Sequence, residues 1–184
     1  ERGLRTWNLQ EGRPTILVTG GSQGAVSINA ALADAVERLT SAGFQILHAY
    51  GRKNDAPAAH DHYTAVPYID DMEAAYAVAD VVVCRSGAMT VAENSAAGIP
   101  AIYIPLPHGN GEQGLNSAHL VDAGAALRID DAALSGDVLV EKLLPLVAPE
   151  ARATMRAALK DSGAGSVAED LAARIAAAAG KDTK

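Results

Sequence analysis

Two hydrophobic periods alternate along this chain, and few folds accommodate both. Short β-branched runs stand at Thr15–Thr19, Gln45–Ala49, Thr64–Val66, Val81–Cys84, Ala101–Ile104 and Ala126–Ile129. Most are apolar at successive positions, the pattern of strands covered on both faces of a parallel sheet. Between them, Ile28, Leu32, Val36 and Leu39 recur at helical spacing and mark one apolar helix face. Further helices are expected after Asp70-Asp71, carrying Met72, Ala75 and Tyr76, then from Thr90, and from about Leu115 to Asp122. Strand–helix alternation with short links implies βαβ crossovers. The expected fold is therefore α/β, a Rossmann-like doubly wound parallel sheet of about six strands. After Ile129 the strands stop, and Asp137–Leu146, Pro149–Lys160 and Ser166–Ala179 read as extra C-terminal helices.

The chain has 184 residues, enough for one domain with a sizeable core. Its expected organisation is a polar linker over 1–14, the sheet domain over 15–162, and a C-terminal helix and tail over 163–184. The Gly163–Gly165 stretch reads as a helix break. The formal net charge of -7 argues against a nucleic-acid footprint, which needs a basic stripe. A single cysteine, Cys84, excludes an internal disulfide framework and a cysteine-based zinc site. No apolar run approaches the ~20 residues of a membrane span, and the polar N-terminus lacks a signal-peptide core. The sequence opens on Glu1 without an initiating Met, as a piece of a longer protein would.

In a doubly wound sheet, ligands bind beyond the carboxyl ends of the strands, and the distinctive residues cluster in those loops. After the first strand comes Gly20-Gly21-Ser22-Gln23-Gly24-Ala25. Glycines let the backbone approach a ligand, and the following helix N-terminus offers N–H groups to an anion. The spacing is neither the dinucleotide fingerprint, whose acidic residue is replaced here by Tyr50-Gly51-Arg52, nor a Walker A loop. It does match Gly-x-Ser-x-Gly, which makes Ser22 a remote candidate esterase nucleophile with His108 or His119 as base. The plainer reading makes Ser22 the cap of the next helix.

After the fourth strand stands Arg85-Ser86-Gly87-Ala88-Met89-Thr90-Val91-Ala92-Glu93. Thr90-x-x-Glu93 has the pattern of a capping box. The alternative is that the Glu93 carboxylate accepts hydrogen bonds from two ribose hydroxyls. After the fifth strand, Gln113 and Asn116 lie in the Gly-rich Pro105–Asn116 loop, each with a donor and an acceptor for sugar hydroxyls; a polar surface loop is the alternative. After the third strand, Pro67-Tyr68-Ile69 forms an apolar shelf suited to a base, and Asp70 and Asp71 serve the next helix terminus. His60, Asp61 and His62 read as a solvated loop rather than a metal site, since no third ligand is evident. Cys84 reads as core.

These loops, in this order, resemble the MurG family of UDP-N-acetylglucosamine transferases, which convert lipid I to lipid II in peptidoglycan synthesis. The matching residues are the GGSQGA loop, Tyr68-Ile69-Asp70-Asp71-Met72, Arg85 to Glu93, and the Pro105-Leu106-Pro107 loop with Gln113 and Asn116, covering about 15–146. The resemblance implies one half of a two-Rossmann-domain (GT-B) glycosyltransferase, the half that binds UDP-N-acetylglucosamine. It implies that Gly21, Ser22 and Gln23 meet the diphosphate and sugar, and that the Ile69 backbone pairs with uracil. Ala88, Met89 and Thr90 would lie by the α-phosphate, Glu93 would hold the ribose, and Gln113 with Asn116 would read the sugar. Glu112 departs from a family glutamine, and the family's linker Arg has no secure match.

No catalytic residue, metal ligand or cofactor is assigned within this chain. Lipid I would be bound through the family's N-terminal acceptor domain, which the chain lacks, at the cytoplasmic face of the bacterial membrane. The alternatives are another GT-B UDP-sugar transferase domain and a non-catalytic nucleotide-sugar-binding module.

Overall fold

The computed structural model describes residues 1–107 and 111–164. The expected helix at Ser166–Ala179 and His108 lie outside the described residues. The six strands are β1 (Thr15–Thr19), β2 (Gln45–Ala49), β3 (Tyr63–Val66), β4 (Val81–Cys84), β5 (Ala101–Tyr103) and β6 (Ala126–Arg128). They form one sheet in the order β3-β2-β1-β4-β5-β6, and every pairing is parallel. This is the doubly wound order, whose switch point falls between β1 and β4.

Among the described residues, seven α-helices flank the sheet: α1 (Arg2–Thr6), α2 (Val26–Ser41), α3 (Met72–Val78), α4 (Ala88–Ala96), α5 (Glu112–Asp122), α6 (Gly136–Leu143) and α7 (Pro149–Asp161). Because side chains alternate along a strand, each strand supplies two cores. Ile16, Val18, Ile46, Val81, Val83 and Ile102 face α2 and α6 in one, with Ile28, Leu32, Val36 and Leu39 at 0–1% exposure. Leu17, Leu47, Val82, Cys84 and Tyr103 face the other, with α3, Leu120 of α5 and Leu159 of α7.

Residues 1–14, expected as a linker, are docked on this sheet. Trp7 is buried in the second core, and its carbonyl accepts a hydrogen bond from Thr64 Oγ1 at 3.1 Å. Buried Gln45 receives the Gln10 N–H at 2.8 Å and donates to the Gln10 and Arg13 carbonyls at 2.9 Å. One large apolar side chain therefore anchors an otherwise polar stretch, which no periodicity advertises.

Several helix starts differ from the sequence reading. α4 begins at Ala88 with Gly87 as its N-cap, so Thr90 is its third helical residue and the Thr90-x-x-Glu93 capping box does not form. α2 is capped by Ala25, not Ser22, and has no side-chain cap bond. α5 starts at Glu112 after Gly111, three residues before the expected Leu115. A helix that starts on glycine or alanine leaves no capping side chain to read. Asp71 does cap α3, accepting from the Ala74 N–H at 3.0 Å, whereas Asp70 faces Arg52 at 3.6 Å instead. The Asp137–Leu146 helix ends at Leu143 and tightens into a 3₁₀ turn over Leu144–Val147, where Pro145 has no N–H to continue the α-pattern.

Candidate functional site

A cleft of about 580 Å³ opens at the carboxyl end of the sheet, over the switch point. Its floor is Thr19, Ala49 and Cys84 at the strand ends, and its walls come from the loops that follow β1, β3, β4 and β5. The structure brings Gly21, Ser22, Ile69, Thr90, Glu93 and Gln113 together in its lining. Gln23, Ala88, Met89 and Asn116 lie off that lining.

The β1 loop is held by contact with the loop after β2. Gly24 (φ +75°) and Gly51 (φ +90°) occupy the left-handed region that disfavours side chains. A Cβ at Gly24 would collide with the Tyr50 carbonyl, and one at Gly51 would collide with the Gln23 carbonyl. Asn54 Nδ2 bridges the two loops, donating to the carbonyls of Gln23 (2.9 Å) and Tyr50 (2.8 Å). Gln23 therefore contributes backbone to this junction, while its side chain is exposed.

A buried polar chain lies beneath. Asn29 Nδ2 donates to the Tyr50 carbonyl at 2.9 Å, and Asn29 Oδ1 lies 3.0 Å from His48 Nε2. The Oδ1 atom can only accept, so His48 carries its proton on Nε2 and accepts the Tyr63 hydroxyl on Nδ1 at 2.7 Å. Burial lowers the His48 pKa to about 4.

The N-termini of α2 and α4 both reach the cleft, where Ala25, Val26, Gly87 and Thr90 line it. Neither helix has a side-chain cap or an acidic residue in its first turn. By contrast, α3 and α6 are capped by Asp71 and Ser135 and carry Glu73 and Asp137 in their first turns. The two helices at the cleft thus keep unpaired N–H groups and the positive end of the helix dipole for an anion.

Ile69 buries its side chain in the second core. Its backbone N–H and C=O have no hydrogen-bond partner among the described residues. Beside it, half-exposed Tyr68 carries the Arg52 guanidinium over its ring at 4.4 Å. Glu93 accepts from the Tyr76 hydroxyl through Oε2 at 3.0 Å, leaving Oε1 to the cleft. Gln113 accepts the Leu106 N–H through Oε1 at 3.0 Å, and its carbonyl accepts from Ser86 Oγ at 2.7 Å. Its amide nitrogen has no partner among the described residues. Asn116 Nδ2 instead donates to the Ser86 carbonyl at 3.0 Å and so supports this wall from behind.

Arg85 stands in the motif after β4 with no role legible from the sequence. Arg85 lines the cleft and pairs with Asp131 at 2.5 Å, and nothing in the spacing of residues 85 and 131 announces the pair.

Ser22 is exposed and makes no hydrogen bond to a His or carboxylate among the described residues. His119 stands exposed in the last turn of α5, off the cleft lining. Among the described residues, Ser22 thus has no ordered base of the kind an esterase needs. Burial pushes the Cys84 thiol up to about 12, which leaves it without the thiolate a nucleophile needs. His60, Asp61 and His62 lie in an exposed loop. Among the described residues, no group of three or more His, Cys, Asp and Glu side chains is placed to hold a metal. No described helix is long and apolar enough to cross a membrane.

Comparison with known proteins agrees with this geometry. Residues 15–175 match the model of the glycosyltransferase family 28 C-terminal domain. Over 178 residues the chain is 56% identical to a UDP-N-acetylglucosamine--N-acetylmuramyl-(pentapeptide) pyrophosphoryl-undecaprenol N-acetylglucosamine transferase of Corynebacterium glutamicum, covering 96% of this chain and 50% of that protein. The similarly described protein of Mycolicibacterium smegmatis is 52% identical over 163 residues, covering 85% and 42%. The chain therefore spans about half the length of these curated relatives. Among solved structures, the crystal structure of Acinetobacter baumannii MurG superposes with a TM-score of 0.71 at 30% identity, covering 91% of this chain and 52% of that one. A doubly wound sheet, a cleft at its switch point and a family match over most of the chain agree: the protein belongs to the glycosyltransferase family 28 C-terminal domain family.

Proposed function

We propose that this chain is the donor-binding half of an inverting transferase that moves N-acetylglucosamine from UDP-N-acetylglucosamine to lipid I, giving lipid II. The observation that carries this reading is the pair of uncapped, acid-free helix N-termini, α2 and α4, at one cleft. Such a site suits a diphosphate without calling on a metal. Gly21, Ser22 and the backbone at Gln23 would face the diphosphate from one side, and Ala88, Met89 and Thr90 from the other. Uracil would pair with the unbonded Ile69 backbone. Glu93 would take the ribose hydroxyls through the oxygen that Tyr76 leaves open. Gln113 would offer its amide N–H groups to the sugar, with Asn116 bracing the wall behind it.

The activity for which the relatives are named supports this donor and acceptor. In the reaction, an acceptor hydroxyl attacks the sugar C1 as the bond from C1 to the β-phosphate oxygen breaks, and UDP departs with the bonding pair. Fixed N–H dipoles at the diphosphate stabilise the charge that develops there. The acceptor groove, the group that takes the hydroxyl proton and the contact with the cytoplasmic face of the membrane are assigned to the remaining half of the full-length protein.

Calorimetric titration with UDP, UDP-N-acetylglucosamine and UDP-glucose tests the reading. Saturable binding is expected for the first two, with UDP-glucose weaker than UDP-N-acetylglucosamine. A preference for UDP-glucose would instead favour another UDP-sugar transferase. No binding of any uridine ligand would sink the proposal.

A further inference from the structure

Arg85 leaves the end of β4 and is almost enclosed, with its side chain 15% exposed and that of Asp131 18% exposed. Its Nη1 donates to Asp131 Oδ1 at 2.5 Å and to the Ile104 and Pro105 carbonyls at 3.2 and 3.4 Å. Its Nη2 donates to Ser27 Oγ at 3.0 Å, and Ser27 in turn donates to the same Asp131 oxygen at 2.7 Å. Arg85, Ser27 and Asp131 therefore close a ring of hydrogen bonds. The ring joins the first turn of α2, the exits of β4 and β5, and the segment after β6.

This clasp ends beside the Gln113 wall. Residue 106 follows the Pro105 carbonyl held by Arg85, and its N–H is the group that occupies Gln113 Oε1. Residue 86 follows Arg85 itself, and its hydroxyl holds the Gln113 backbone carbonyl. The two tethers on Gln113 thus come from the two neighbours of the clasp. They fix the amide with its oxygen engaged and its nitrogen without a partner among the described residues, so the wall meets a ligand as a donor.

We propose that Asp131 and Ser27 act through Arg85 as positioning residues that orient Gln113 toward acceptor oxygens on the sugar of the donor. The proposal rests on the reading of this cleft as a UDP-sugar site. A guanidinium fork loses its bearing when its anionic partner is removed, and the strand-end carbonyls it holds then relax along with Leu106. The loss falls on the sugar end of the ligand, because Ile69 and Glu93, read as the uracil and ribose contacts, take no part in the clasp, Glu93 being tied to Tyr76 instead.

The experiment is a double-mutant cycle on the 184-residue chain, reading the ratio of UDP-N-acetylglucosamine affinity to UDP affinity by calorimetry. Asp131→Asn should lower this ratio about five- to tenfold, with UDP affinity changed less than about twofold. In a Gln113→Ala background, Asp131→Asn should leave the ratio where Gln113→Ala has put it. Ser27→Ala, a gentler cut to the same ring, should follow the same pattern with a smaller effect and serves where Asp131→Asn fails to fold. Equal loss for both ligands in these variants, or an equal fall in the ratio with and without Gln113, would overturn the proposal. Native binding with a ratio indifferent to Asp131, Ser27 and Gln113 sinks it alone; a native chain that binds neither ligand sinks the reading of the cleft on which it rests.

Discussion

Tyr76 in α3 donates its hydroxyl hydrogen to Glu93 Oε2 in α4 at 3.0 Å. This bond ties two helices across one end of the cleft and fixes the rotamer of the only carboxylate in its lining among the described residues. Burial, then the hydrogen bond and charge of Glu93, raise the Tyr76 pKa above its ordinary value, so the phenol stays a donor. Glu93→Gln keeps the size and one acceptor but removes the charge. We expect it to weaken UDP binding by about 1–3 kcal/mol and to shift the Tm by only a few degrees. Tyr76→Phe should cost less, since Glu93 remains. Unchanged UDP affinity in Glu93→Gln would leave this residue as a link between helices and nothing more.

Gly24 admits no side chain, because its φ is +75° and a Cβ would meet the Tyr50 carbonyl. Gly24→Ala must either strain that backbone or part the loops after β1 and β2, at a cost of about 1–3 kcal/mol. Since the β1 loop forms one wall of the cleft, the variant should lower both the Tm and UDP affinity. A loss of stability with full UDP affinity would show that the loop keeps its shape without this junction.

The His48 chain makes stability depend on pH. Its pKa is about 4 in the folded protein against 6.5 for an ordinary histidine. Between those values the unfolded chain binds the proton and the folded one does not. The contribution is therefore fully present above pH 6.5 and is lost as the pH falls toward 4. A shift of this size corresponds to roughly 3 kcal/mol at most. Urea midpoints at pH 7.5 and pH 4.5 should differ more for the native chain than for His48→Gln, whose side chain does not titrate. Equal pH sensitivity in the two proteins would assign the effect to carboxylates instead.

The chain spans about half the length of its curated relatives, and under the proposed function every cleft motif is assigned to the donor. The isolated chain should therefore bind UDP-N-acetylglucosamine but transfer none of it, because holding both reactants in register supplies several kcal/mol of the barrier. Radiolabelled sugar transfer to a short-chain lipid I analogue, with and without the separately made N-terminal half, measures this. Turnover by this chain alone would place an acceptor site within its 184 residues.

The strands were legible almost residue by residue, because a run apolar on both faces has few other places to go than the middle of a parallel sheet. β1, β2 and β4 fall where the runs predict, and β3, β5 and β6 differ by one residue at an end. Helix starts were less legible. Ser22 and Thr90-x-x-Glu93 looked like caps, yet Ala25 and Gly87 hold those positions. Capping motifs signal themselves through side chains, and neither α2 nor α4 carries a side-chain cap bond.

The sequence by itself determined the order of strands and helices, the placement of the glycine-bearing loops at strand ends, and so the general position of the cleft. These follow from local periodicity and from the backbone freedom of residues such as Gly24. Tertiary structure alone decided which loop residues face one another. Arg85 meets Ser27 across 58 positions and Asp131 across 46, while Gln113 points inward and Asn116 turns back to Ser86. Such pairings arise from where the sheet order 3-2-1-4-5-6 brings distant strand ends together, and distance in space leaves no period in the chain.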